Sequence, residues 1–187
     1  LLVKEDVVLV IVPLGAMLAI RGETRRGILT IGAAVSAALL GMFVLMKNLI
    51  GVPTRNGWRI PFGGFTGFIR ESLTNPTNVI EYLSSEGRLM YWWKMFAPFA
   101  LLSLLAPEVA MISVLVLVGN TVSNFWYQFH IEYHYSLVAV PALLIATIVG
   151  VGRLGVGLRR ALVAAVLASS LWSASLWSYV PFRLNEY

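Results

Sequence analysis

The sequence contains no cysteine. That excludes disulfides and thiolate-held metals, and it leaves the redox compartment unreadable. Charge is scarce as well: Asp, Glu, Lys and Arg together make up 12% of the 187 residues, about half the share usual in a soluble domain. There is no glycine-rich phosphate loop ending in Lys-Ser/Thr, no serine-nucleophile elbow and no soluble nucleotide-binding unit. Fixed-period repeats and low-complexity tracts are missing too. Thiol chemistry, P-loop nucleotide hydrolysis and elbow-type serine hydrolysis are thereby set aside.

Apolar residues are abundant, at 58% of the chain with a mean hydropathy of +0.80. Several apolar runs reach the ~18 residues that mark a membrane-crossing helix. The sequence therefore predicts an all-α fold, a polytopic transmembrane helix bundle of about six membrane segments. One integral-membrane domain is expected over 1–187, with an extracytoplasmic loop at 47–88. The bilayer is the first partner this implies. The net charge of +5 reads as topological arginine rather than as a nucleic-acid signal, because cytoplasmic loops of membrane proteins collect Lys and Arg. Because the chain opens at Leu1 inside an apolar run, it is expected to be a piece of a longer protein.

The first run, Val7 to Ile20, is short for a crossing, so Lys4-Glu5-Asp6 is expected on the same helix near one membrane surface. Pro13 and Gly15 would kink it. The arginines at 21, 25 and 26 mark a cytoplasmic loop, which sends Lys4-Glu5-Asp6 to the outer side. The second run, Gly27 to Met46, carries Ala33, Ala37 and Gly41 four apart, a stripe suited to close helix contact. In the 47–88 loop, Asn75 before Pro76 resembles a helix start. Tyr91-Trp92-Trp93-Lys94 reads as an interfacial belt. A hairpin then runs from Met95 to Ala106, turns at Pro107-Glu108 and returns to Gly119, either spanning or re-entrant. The run from Tyr135 to Gly152 is expected to kink at Pro141. Arg153, Arg159 and Arg160 form a second arginine loop, and Ala161 to Val180 returns outward with serines at 169, 170, 173, 175 and 178 facing other helices or a wet cavity.

Chemistry is concentrated between Asn124 and Pro141, which holds both histidines of the chain. His130, Glu132 and His134 form H-x-E-x-H. In an extended segment the three share a face and form a weak divalent-metal candidate, whereas in a helix Glu132 points away from the two histidines. Hydrogen bonding or proton transfer to a phosphate or sugar is the stronger functional reading of this stretch, and interfacial anchoring is the plain one. Glu5 and Asp6 are site candidates because a carboxylate at membrane depth is costly to keep. The outer-loop arginines Arg55, Arg59, Arg70 and Arg88 are either solvated loop charge or captors of an anionic lipid phosphate. Glu108 reads as a solvated turn.

Lys4-Glu5-Asp6 opening a helix, the turn Leu104-Leu105-Ala106-Pro107, and His134-Tyr135 opening a helix that ends near Gly150 to Leu154 together resemble the C-terminal half of a predicted membrane-protein family, domain of unknown function 2079. That family is similar to the GT-C glycosyltransferases, multi-pass enzymes that take sugars from polyprenyl-phosphate carriers at the outer membrane face. The resemblance implies Glu5, Asp6, His134 and Tyr135 as motif positions and candidate catalytic residues, while the charge of the outer loop offers Arg55, Arg59 and Arg88 as the expected contacts to a substrate phosphate. It implies a polyprenyl-phosphate-linked sugar as donor, a bacterial-type plasma membrane as location, and an N-terminal half carrying the principal acidic motif. A proton- or lipid-coupled transporter or flippase, and a membrane scaffold without chemistry, are the competing classes.

Overall fold

The computed structural model describes residues 7–50 and 59–177, and these are helical with no strand among them. Glu5, Asp6 and Arg55 lie outside the described residues. Helix α1 (Val8–Ile20) continues through Pro13 and ends at Arg21. A turn with Gly22 at φ 91° leads to α2 (Thr24–Leu39), which widens into π turns over Leu40–Ile50. The two helices touch backbone to backbone. A Cβ on Gly27 would meet the carbonyl of Gly15 and lie 2.7 Å from the amide nitrogen of Ala19. The contact face of α2 is Gly27, Ala34 and Ala38, not the expected Ala33, Ala37 and Gly41. Ala33 is exposed and nothing lies within 4 Å of a Cβ at Gly41. A strict four-residue stripe drifts ~40° per step around a helix of 3.6 residues per turn, whereas steps of seven and four stay on one face.

Short helices α3 (Phe65–Thr74) and α4 (Pro76–Ser84) follow, the second opening on Pro76 as its sequence suggests. Helix α5 (Arg88–Phe96) begins after the left-handed Gly87 and turns Arg88, Tyr91 and Met95 inward. Beyond it, the first arm of the expected hairpin, Met95 to Ala106, is broken rather than continuous. A 3-10 turn at Ala97–Phe99 gives way to Ala100 and Leu101 at φ 49° and 59°, then to a second 3-10 turn at Leu102–Leu105. Two successive non-glycine residues in the left-handed region store strain. Helices α6 (Pro107–Ala110) and α7 (Val114–Val122), joined by a 3-10 turn, carry the chain back.

Helix α8 (Val140–Gly152) starts with Pro141 in its first turn instead of kinking there. A proline lacks only an amide that would be unpaired at that position anyway. Its Gly150 admits the broken stretch so closely that a Cβ would stand 2.7 Å from Leu105 Cβ. The last described helix, α9 (Val156–Trp177), uses its hydroxyls as expected. Ser169 Oγ donates to the carbonyl of Ala97 at 2.5 Å and Ser170 Oγ to that of Pro98 at 2.6 Å. They satisfy backbone acceptors in the interrupted segment.

Among the described residues two helices are long and apolar enough to cross a membrane, Thr24–Leu45 and Val156–Trp177, 22 residues each. At 1.5 Å per residue they rise ~33 Å, just over the ~30 Å hydrocarbon core. The other apolar helices, Val8–Ile20, Pro107–Val122 and Val140–Gly152, are shorter. By length and composition alone, two crossings are marked among the described residues, which does not establish the expected bundle of about six. The distribution of side-chain size is informative as well. Buried positions include Ala34, Ala38, Ala106, Ala139, Ala142 and Ala146, while Leu39, Phe43, Ile145, Ile148, Leu167 and Leu171 face outward. Soluble cores bury the large apolar residues. Tyr91, Leu117, Phe129 and Leu143 are buried here as well, but the large apolar residues left on the outside suit helices solvated by lipid.

Polar contacts gather at two opposite ends of α8. At one end Glu108 receives Arg21 at 3.5 Å and also pairs with Arg153, whose other nitrogen donates to the carbonyl of Leu105 at 3.3 Å. Arg21 of the first arginine loop and Arg153 of the second thus both meet the Pro107 turn. Glu108, in a turn open to solvent as expected, is the clasp that links the two loops, and the hydrogen bond from Arg153 holds its carboxyl below the usual glutamate range. At the other end the amide of Asn124 donates to the carbonyl of Arg59 at 2.6 Å, and Tyr82 Oη reaches the carbonyl of Val122 at 3.1 Å and Oδ1 of Asn124 at 2.9 Å.

Candidate functional site

Between α7 and α8 the chain is too rich in aromatic and polar groups to form a buried helix, and it folds as two short 3-10 turns, Trp126–Phe129 and His134–Ser136. Extended residues separate them, with His130 at φ −108°, ψ 120° and Tyr133 at φ −105°, ψ 155°. Neither the extended nor the helical expectation for H-x-E-x-H therefore applies. His130 Nδ1 lies 3.7 Å from Glu132, whose other oxygen lies 3.5 Å from Lys94 Nζ. His134 turns away and stacks on Tyr135, ring centres 4.4 Å apart and 25° between planes. Among the described residues no three His, Cys, Asp or Glu side chains converge to hold a metal ion.

Four residues instead form an aromatic and cationic row. His134 stacks on Tyr135, Tyr135 meets Phe125 edge-on at 5.9 Å, and the Arg59 guanidinium lies over Phe125 at 5.1 Å. Arg59, Tyr135 and His134 were each expected at the site, and Phe125, which joins them, was not. A second branch leaves Phe125 through Tyr127 at 4.9 Å and Tyr133 at 4.5 Å. Trp126, 5.5 Å from Tyr133, meets His130 edge-on at 5.0 Å. The branch ends at the group formed by His130, Glu132 and Lys94, where Lys94 Nζ also lies 6.0 Å from the ring centre of Trp177. A continuous band of rings and charge thus crosses this end of the bundle. His134 is exposed.

Arg88 does not join the row. Its side chain is 1% exposed, held between the rings of Tyr82 at 4.2 Å and Phe129 at 4.1 Å. It donates to the carbonyl of Ser123 at 3.2 Å and to Glu86 at 3.1 Å. A guanidinium enclosed on both faces serves the fold and has no surface left for a substrate phosphate. Burial pushes the Tyr82 phenol up, and the neighbouring Arg88 partly pulls it back. Beneath Arg88, the phenol oxygen of Tyr91 accepts from Asn120 at 2.9 Å and Ser136 at 3.2 Å, tying α5, α7 and the segment before α8 together.

Lys94 and Trp177 escape a reading by neighbourhood, because Lys94 sits in an aromatic belt far along the chain from Glu132. The usable signal is helical: Lys94 follows Tyr91 by three residues, which sets it beside the inward face of α5. It borders two hollows. One of about 370 Å³ is lined by Lys94, Pro98, Glu132, Ser170, Ser173 and Trp177, with Ile131 and Ala174. Another of about 210 Å³ continues past Lys94, Pro98 and Ile131 to Tyr133 and Ser136.

Compared with known proteins, the chain matches at residues 1–185 the family described as "Predicted membrane protein (DUF2079)". No curated protein and no solved structure matches it.

Proposed function

The chain belongs to this family of predicted membrane proteins, and from that premise we propose that it is the membrane-embedded portion of a GT-C-like glycosyltransferase that uses a polyprenyl-phosphate-linked sugar at the outer face of a bacterial-type plasma membrane. The observation that carries the reading is the row Arg59, Phe125, Tyr135 and His134 at one end of an apolar bundle. A guanidinium, an imidazole and a phenol at headgroup level are the groups that would neutralise a lipid phosphate as it departs. In the proposed reaction an acceptor hydroxyl attacks the anomeric carbon while the bond from that carbon to the phosphate oxygen breaks. The electron pair leaves with the lipid phosphate, and the hydroxyl proton passes to a carboxylate, for which Glu5 and Asp6 are the candidates.

The test is transfer of a sugar from its polyprenyl-phosphate carrier by the full-length protein in detergent or nanodiscs. Glu5→Gln, His134→Ala and Arg59→Gln should each lower turnover by about a hundredfold or more. Full activity in both Glu5→Gln and His134→Ala would discard the assignment. Uptake into proteoliposomes that depends on Glu5, without sugar transfer, would favour the transporter class.

A further inference from the structure

The hollow between α5, the Ile131-Glu132 turn and α9 lies beside the row but shares none of its residues. Its volume of about 370 Å³ falls in the ~300–1,000 Å³ range of small-molecule sites. Its walls offer an indole at Trp177, a carboxylate at Glu132, an ammonium at Lys94 and hydroxyls at Ser170 and Ser173. Lys94 and Glu132 are 3.5 Å apart, so the pair is close to neutral. A phosphate entering there would meet Glu132 as well as Lys94, which disfavours it. A metal would find one carboxylate and a histidine 3.7 Å from it, too few ligands for a divalent ion. An acyl chain would strip water from both charges without replacing it.

A neutral ligand carrying many hydroxyls avoids all three penalties. Its hydroxyls donate to Glu132 and accept from Lys94, and the apolar C–H face of its ring lies on the indole of Trp177. The wall at Pro98 belongs to the strained stretch with Ala100 and Leu101 left-handed, and strain of that kind concentrates at ligand-holding sites. We propose that this hollow is a pyranose-binding subsite, with Trp177 as the stacking platform and Glu132 and Lys94 as the hydroxyl-reading pair. It deepens the glycosyltransferase reading and rests on it for the identity of the sugar as substrate, while sugar binding itself does not require catalysis.

The experiment uses the full-length protein in detergent micelles and two readouts. Saturation-transfer NMR with methyl glycopyranosides of glucose, galactose and mannose measures binding alone, with inorganic phosphate as the competitor. Transfer kinetics with the polyprenyl-phosphate sugar then measure use of the site. Trp177→Leu and Glu132→Gln are each expected to weaken the preferred glycopyranoside about tenfold, without displacement by phosphate, and to raise the donor or acceptor KM by a similar factor. Lys94→Gln, which keeps a hydrogen-bonding group, should give a smaller loss and shows whether the cavity survives substitution. If no glycopyranoside binds, if phosphate displaces it, or if transfer proceeds with unchanged KM in Trp177→Leu and Glu132→Gln, the subsite is overturned and the glycosyltransferase reading stands on its own test. If glycopyranosides bind through Trp177 and Glu132 but no transfer occurs, the subsite stands and the catalytic reading falls.

Discussion

Replacing Arg88 by methionine should destabilise the fold by about 2–4 kcal/mol while leaving substrate use in the folded protein nearly untouched. The figure follows from the environment of the guanidinium. Two ring faces, at 4.2 and 4.1 Å, contribute about 1–2 kcal/mol each when desolvated. The charge-assisted bond to the carbonyl of Ser123 adds about 1.5–3 kcal/mol. Against these, methionine avoids the cost of burying a guanidinium, several kcal/mol, and keeps most of the packing of the stem. Glu86, the charged partner, is 65% exposed, so the substitution strands no buried charge and the loss stays below that of breaking an ion pair in a core. Arg88→Lys should recover only part of the difference, since an ammonium cannot lie flat between two rings. Unfolding by SDS titration in mixed micelles measures the first quantity, and donor KM, expected within about twofold of the parent, measures the second. A methionine variant as stable as the parent, a lysine variant equal to arginine, or a large rise in KM at full stability would refute the enclosed-guanidinium account.

Tyr91→Phe should cost about 1–3 kcal/mol, because it leaves Asn120 and Ser136 buried without their shared acceptor; a double-mutant cycle with Asn120→Ala should show strong coupling, and simple additivity would count against the network. Gly150→Leu should cost at least about 1–3 kcal/mol through collision with Leu105, while Gly152→Leu, which has open space, should be tolerated; equal effects in a thermal-shift assay would contradict the packing described. The lowered carboxyl of Glu108 means that the folded chain releases its proton more readily than the unfolded one. The contribution of the clasp is therefore complete above the ordinary glutamate pKa of about 4.3 and is lost as pH falls through the lower folded value. Stability measured across this acid range should lose that limb in Glu108→Gln and in Arg153→Ala, and an unchanged acid profile in both would remove the clasp.

What the sequence disclosed, and what it withheld, follows the reach of local pattern. Helical periodicity and hydropathy read out α1, α2, α8 and α9, and the crowding of hydroxyls on α9 correctly announced a polar contact there. The same logic left the hairpin from Met95 to Gly119 open as spanning or re-entrant and gave no sign of the break between Ala97 and Leu105. The broken stretch packs Leu105 against Gly150 and takes hydroxyls from α9 at Ala97 and Pro98, and none of these partners is local in sequence. Pro141 was visible, but a proline kinks a helix or starts one depending on where the preceding turn ends, and the His134 turn decided that. At the site, His134, Tyr135 and Arg59 were singled out individually, yet their meeting depends on Phe125, an aromatic residue with no chemical signature of its own. Arg88 looked like an outer-loop cation because sequence separates charge from its surroundings; the ring pair that encloses it comes from α4 and from the turn before His130.

The serine donors of α9 also set an order of assembly. The carbonyls of Ala97 and Pro98 receive their hydroxyl partners from residues 72 positions further along the chain, so during synthesis the broken stretch exists before the helix that completes it. Unpaired carbonyls are poorly tolerated in hydrocarbon. Retention of the interrupted segment in the insertion machinery, or at the interface, until α9 has been made would spare it that cost. Substituting both Ser169 and Ser170 by alanine would then show itself first as a defect of biogenesis, with a protein that is made and fails to leave the translocon in its native topology.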